Sequence, residues 1–289
     1  QRQMCIRDSA STADFLRFVC ETAKANDPDC YLVGEAWTDE ATILTLYESG
    51  IDSLFNFPAS DSTGRFVKAA LAGKSSTVAS AQADWNARIR AVSPASVDAP
   101  FVSNHDMARA RGMLRSKVPN EKAAALLYLL MPGVPTVYYG EELGMSGSGS
   151  DENKRLPMVW SSDAATQCKA PAAADQAQRL TDGVAEQDSD PDSLLNWYRQ
   201  LIALRNLAPE LTRGEMTALD GGNDAICAYT VTDAGSTVAI ISNVSQKDTL
   251  TVSLDVLRGA ELLGGIGGAA FADGTANLPP LSGIIVRLP

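Results

Sequence analysis

Two short segments carry the residue types that could do chemistry. LVGEAW, residues 32–37, holds the carboxylate Glu35 two positions before Trp37, and FVSNHD, residues 101–106, ends on Asn104, His105 and Asp106. Each is a brief apolar run that stops at a carboxylate, the pattern of a buried parallel strand delivering an acid to the carboxyl end of a barrel. Two carboxylates on one rim are the minimum kit for glycoside hydrolysis: one delivers a proton to the leaving oxygen, the other stays charged against developing oxocarbenium character. Taken singly, a strand-end carboxylate is more often a solvated acid or a helix cap. The joint pattern with Asn104, Trp37 and His105, the only histidine in 289 residues, is much harder to explain as surface.

Such residues must be positioned by strands alternating with helices. Apolar Phe15, Phe18, Val19 and Ala23 make one helical stripe between Ser11 and Asn26, with Ser11 and Asp14 spaced as a capping box and Asp27-Pro28 as the break. The strand CYLVGE follows, then a helix over 40–48 closed by Gly50, the strand IDSLFNF, and a long helical stretch over 60–92 with Phe66, Val67, Ala70 and Trp85 on its buried side. A strand over 99–104 precedes a helix over 120–131, capped by Asn120 and ended by Pro132-Gly133. VPTVYYG, 134–140, reads as the fourth strand. A connection over 141–190, poor in large apolar residues, leads to a helix with Pro191 in its first turn and a stripe of Leu194, Trp197, Tyr198 and Leu201, where core packing outweighs a sugar-platform reading of the aromatic pair. Beyond Arg205, DAICAYTV, STVAIISNV, DTLTVSL and GIIVRL are short runs between Gly, Asn and Asp turns, the pattern of an antiparallel sandwich. The expected fold is therefore α/β: the C-terminal half of a (β/α)8 barrel, strands 5 to 8, over residues 10–211, followed by a small all-β sandwich over 212–289.

Composition narrows the partners. Lys plus Arg number 24 against 35 Asp plus Glu, a net charge of −11 that would repel a phosphate backbone, so nucleic acid is not an expected partner. No stretch is long and apolar enough to span a bilayer, which argues against a membrane partner. Cys5, Cys20, Cys30, Cys168 and Cys227 lack paired spacing, and with one histidine they build no common zinc site, so no metal is assigned. QRQMCIRDS, residues 1–9, has no signal-peptide architecture and does not flow into the pattern after it; it reads as a non-native scar. Localisation stays open between an extracellular and a cytoplasmic bacterial enzyme.

LVGEAW and FVSNHD resemble two signature segments of the α-amylase superfamily of glycoside hydrolases, the family 13 type, and PGVPTVYYGEELGM, residues 132–145, resembles that family's last barrel strand and exit loop. The resemblance runs in order from about Ser11 to Pro289. It implies retaining hydrolysis or transfer of α-glucosidic bonds in starch-like glucans. By resemblance Glu35 would be the general acid/base and Asp106 the stabiliser gripping the hydroxyls of the distorted sugar. His105 would hydrogen-bond that sugar, Asn104 would hold its neighbours, Trp37 would offer a ring face to the next sugar, and Tyr139 would line the far side of the pocket. The implied partner is an α-glucan or oligosaccharide. No cofactor is required of these residues, while the resemblance allows calcium in a full-length parent.

The departures matter as much. The family nucleophile is an aspartate on the strand before that of Glu35, two residues after an arginine; this chain offers only adjacent Arg7 and Asp8, which would point to opposite faces. A retaining mechanism needs a second carboxylate at roughly 5–5.5 Å from the acid, so the fragment alone is expected to be inactive and its full-length parent to be the enzyme. An α-1,6-glucosidase, a glucanotransferase and a non-catalytic carbohydrate-binding relative stay open as alternatives. Arg109 and Arg111 read as solvated loop arginines, the commoner outcome, with pairing to nearby carboxylates as the alternative. Residues 147–155, GSGSDENKR, read as a flexible polar loop on the active face.

Overall fold

The computed structural model describes residues 9–178 and 180–289; the expected scar, with Arg7 and Asp8, therefore lies outside the described residues apart from Ser9. In the first half α1 (Ser9–Asn26), β1 (Val33–Gly34), α2 (Glu40–Tyr47), β2 (Ser53–Phe55), α3 (Arg65–Ala72), α4 (Ser76–Val92), β3 (Val97–Ala99), α5 (Ala110–Met113) and α6 (Val118–Leu130) follow in order. Strands β1, β2 and β3 form a parallel sheet in that order, with Val33 opposite Ser53 and Ser53 opposite Val97. The expected fourth strand is not a full strand but an extended segment. Val134 N donates to the Asp98 carbonyl and Thr136 N to the Pro100 carbonyl, each at 2.9 Å, which is parallel pairing against β3 and its continuation. The third strand itself ends at Ala99 rather than Asn104, because beyond it the chain bonds irregularly, as in Asp61 N to the Val102 carbonyl at 3.1 Å.

Close approach of the fourth segment depends on one glycine. Gly133 has φ +113°, and a Cβ placed there would lie 2.2 Å from the Asp98 carbonyl oxygen. Gly133→Ala is therefore expected to cost at least about 2 kcal/mol in urea unfolding, combining backbone strain with overpacking; a change within about 0.5 kcal/mol, the range of an ordinary surface site, would show that this approach is not needed. Asp98, buried beneath, accepts from Asn56 Nδ2 at 2.8 Å, Gln82 Nε2 at 2.5 Å and Trp85 Nε1 at 3.0 Å, so burial, which raises its pKa, is opposed by three donors.

Several expected boundaries shift for local reasons. The 60–92 helix is two, broken where Gly73 adopts φ +63° after α3. The buried side holds as expected, with Phe66, Val67 and Ala70 at 0% exposure and Trp85 at 1%. Helix α1 is already formed at Ser9, which places both residues of the expected capping box inside the helix, and Asp14 pairs with Arg17 at 2.7 Å. Its expected stripe faces outward, with Phe15 59% and Phe18 63% exposed, because Cys20 with Leu16 packs into the core beside α2 while Ala13 is buried. Asn120 sits inside α6, its Nδ2 donating to the Leu114 carbonyl at 2.9 Å, while Pro119 occupies the first turn. Pro191 precedes its helix, which Ser193 caps by accepting from Asn196 N.

The second half holds α7 (Asp151–Lys154), α8 (Val184–Ser189), α9 (Leu194–Asn206) and α10 (Glu210–Arg213), then strands β4 (Glu215–Leu219), β5 (Ile226–Asp233), β6 (Ser236–Asn243), β7 (Leu250–Ser253), β8 (Glu261–Ile266), β9 (Ala270–Ala272), β10 (Thr275–Leu278) and β11 (Ser282–Arg287). A five-stranded sheet, β4-β5-β6-β11-β8, faces a three-stranded one, β7-β10-β9. Period-two alternation decides what each face does. Ile226, Ala228, Ala239, Ile241, Ile284 and Val286 pack inside the sandwich with Val252 and Leu278. Cys227, Tyr229, Val231, Ile240 and Ile285 point the other way, into one core with Leu126, Leu130 and Leu201 of α6 and α9.

Candidate active site

Glu35 follows directly on β1, and Asn104, His105 and Asp106 lie on the loop that leaves β3, so parallel pairing of β1 through β2 to β3 carries both carboxylates to the same sheet end. Asn104 joins them. Its Nδ2 donates to Glu35 Oε1 at 3.3 Å, and its Oδ1 accepts from the backbone N–H groups of Asp106 at 2.9 Å and Met107 at 3.1 Å. An amide has donors on one atom and an acceptor on the other, so a single side chain both orients one acid and shapes the loop that presents the second.

Asp106 is half-buried and strongly held. Arg155 Nη2 reaches its Oδ1 at 2.8 Å, His105 Nε2 lies 3.5 Å from the same oxygen, and Lys154 Nζ donates to the Asp106 carbonyl at 2.9 Å. Lys154 and Arg155 end the GSGSDENKR run, which is thus no free loop: Asp151–Lys154 forms a helical turn that Asp151 ties to both cations, at 3.0 Å and 3.3 Å. Sequence reasoning passed over these two residues. The one signal on offer was the spacing of Asp151 from Lys154 and Arg155, three and four apart, which suits a helical turn presenting both cations.

Trp37 is 58% exposed and stacks on Phe57, ring centroids 5.1 Å apart at 19°, which leaves its other face to solvent beside Glu35. Tyr139 is 39% exposed and donates its hydroxyl to the Leu156 carbonyl at 2.7 Å. It is joined to the Asp106 loop through Arg109, whose guanidinium lies 4.6 Å from the centroids of both Tyr138 and Tyr139 and donates to the Tyr139 carbonyl at 2.6 Å. Arg109 is 1% exposed, and burial draws its pKa down, so the expectation of a solvated arginine fails there. It fails for Arg111 too, which pairs with buried Glu121 at 2.6 Å. Behind the same loop a groove of about 660 Å³, lined by Arg111, Ser146, Ser148, Asp175, Gln176 and Gln178, includes none of the sequence-identified site residues. Among the described residues no group of three or more His, Cys, Asp or Glu side chains clusters to hold a metal, and no helix is long and apolar enough to cross a membrane.

A family model described as Alpha amylase, catalytic domain, matches residues 1–214. The chain is 28% identical to Alpha-amylase 3 of Dictyoglomus thermophilum over 269 residues, which is 92% of this chain and 53% of that protein. It is 29% identical to Alpha-amylase SusG of Bacteroides thetaiotaomicron over 237 residues, 76% of this chain and 32% of that one. Among solved structures, Eubacterium rectale Amy13B superposes with a TM-score of 0.89 at 33% identity, covering 96% of this chain and 56% of the other. An alpha-amylase from H. orenii shares the fold at TM-score 0.83 and 24% identity, over 96% and 57% of the two chains. The chain thus spans about half the length, or less, of these relatives.

Proposed function

The chain belongs to the alpha-amylase catalytic-domain family of glycoside hydrolases, and from that premise we propose that it supplies the acid/base and stabilising half of a retaining α-glucan hydrolase acting on α-1,4 bonds of starch or maltooligosaccharides. The observation that carries this reading is the Asn104 bridge, which ties Glu35 to the backbone of Asp106 on one rim. Glu35 donates a proton to the leaving oxygen and then takes one from water. Asp106, kept in place by Arg155, accepts from two neighbouring hydroxyls of the sugar at the cleaved bond. His105 donates to the same sugar, and the open face of Trp37 packs on the C–H face of the next one. Tyr139, whose hydroxyl is engaged by Leu156, contributes its ring to the pocket wall. The nucleophilic carboxylate comes from an upstream barrel segment that lies outside these residues.

The test is direct. Joined to the upstream half of such a barrel, the chain should release new reducing ends from soluble α-1,4-glucan, with the α-anomer formed first by NMR. Release confined to α-1,6-linked substrates, or transfer without net hydrolysis, would replace the linkage or the reaction assigned here. Glucan binding without any turnover would favour a non-catalytic relative.

A further inference from the structure

We propose that Glu141 is a positioning residue for the Glu35–Asp106 rim: a buried knot that fixes Ser103, and through Ser103 the bridging Asn104, against the segment that follows the fourth strand. The inference deepens the hydrolase reading of that rim and rests on it.

Glu141 is 5% exposed and accepts three hydroxyls from three parts of the chain: Ser103 Oγ at 2.7 Å, Tyr128 OH of α6 at 2.8 Å and Tyr198 OH of α9 at 2.9 Å. Both tyrosines bind Oε1 and the serine binds Oε2, so the carboxylate is held rigidly and in turn holds Ser103. Ser103 is the residue before Asn104. Six positions after Ser103, Arg109 donates to the Tyr139 carbonyl. The loop that carries Asn104, His105 and Asp106 is therefore pinned at both ends to the Tyr139–Glu141 segment. Within it Asn104 has one orientation that reaches Glu35 and two backbone N–H groups together.

Core packing alone gives no reason for a carboxyl here. Burial raises the Glu141 pKa from 4.5 to about 7, opposed by its three hydroxyl donors. The sign follows: the group's contribution to stability is present in full below the unfolded value of 4.5 and is lost as pH rises through about 7. A leucine would carry no such cost. The charged or titratable groups that face Glu141 are Tyr128, Tyr198, Glu142 and Arg109.

The experiment follows the Asn104 side-chain amide by NMR across neutral pH, in this chain with His105→Gln so that no histidine titrates. The amide is expected to shift with a midpoint of about 7. Tyr198→Phe, far from Asn104 in sequence, removes one hydroxyl that holds the carboxyl's pKa down, so the midpoint should rise by roughly one unit. Glu141→Gln should abolish it. An amide indifferent to Glu141 ionisation, or an unmoved midpoint in folded Tyr198→Phe, would overturn the proposal; if Glu141→Gln does not fold, Tyr198→Phe decides. Addition of maltotriose to the chain joined to the upstream half of such a barrel tests the other reading separately: a coupled amide that ignores the sugar there supports the role of Glu141 and counts against the hydrolase assignment.

Discussion

Replacing Glu35 with glutamine, in a protein that completes the barrel, is expected to lower kcat on starch by about 10²–10⁴-fold, the usual contribution of a general acid, while KM changes little. Glutamine matches glutamate in shape and its oxygen still accepts from Asn104 Nδ2, so the rim should stay in place while the transferable proton is lost. The loss should depend on the leaving group. An aryl glucoside with an acidic phenol departs without protonation, so its glycosylation step should be far less affected than that of a maltooligosaccharide. Reducing-sugar release and phenol release measured on the same variant separate these outcomes. Unchanged starch hydrolysis would remove Glu35 from the chemistry, and equal loss on both substrates would point to a collapsed rim instead of a missing acid.

The second large effect concerns stability. Arg205→Met is expected to cost at least about 3 kcal/mol, since several hydrogen bonds to a charged donor are lost and buried carbonyls are left unpaired. Arg205, on α9, donates from Nη1 to the carbonyls of Leu129 and Met131, at 2.9 and 2.6 Å, and from Nη2 to those of Gly133 and Leu211, at 2.6 and 3.2 Å. These include the free carbonyls at the C-terminus of α6, where a cation also meets the negative end of the helix dipole. Burial lowers the Arg205 pKa to about 10, so it stays charged at neutral pH. Lysine keeps the charge but not the planar fork, so Arg205→Lys should fall between wild type and Arg205→Met. Urea unfolding of this chain measures both. A cost below about 1 kcal/mol, the worth of a single ordinary hydrogen bond, would mean that these carbonyls find other partners.

Much of this was legible in the residues. The apolar run before Glu35 did mark a strand end, since Glu35 follows directly on β1, although Val33 there is 42% exposed and not buried on both faces. The run before Asp106 did not, since β3 stops at Ala99 and Asp106 lies on the loop beyond it. Alternation in DTLTVSL and the runs around it marked the sandwich. What failed was orientation. The stripe of Phe15, Phe18 and Val19 is a real helical face, yet periodicity identifies a face without saying what covers it, and it is Cys20 with Leu16 that packs into the core beside α2 while Ala13 is buried. Strands β4, β8, β9 and β10 escaped notice because glycine and alanine dilute their pattern; Gly264 and Gly265 interrupt the only apolar run of β8. The residues that steady Asp106 were hidden for a different reason. Lys154 and Arg155 lie 48 and 49 positions away in sequence, and a long-range ion pair leaves no periodic trace. Glu141 read as one more polar residue in an exit loop, since only the fold brings two distant tyrosines and a serine onto it.

The outward faces of β5 and β6 share their core with α6 and α9, and the Tyr229 hydroxyl donates to the Leu130 carbonyl at 2.7 Å. The terminal sheet is thus a foundation and not a detachable module. Recombination that exchanged it for an unrelated domain at a cut near Gly214 would strip the helix pair of its floor, so a donor sequence must bring a matching set of inward side chains, or the rim above loses its footing however well its own residues are preserved.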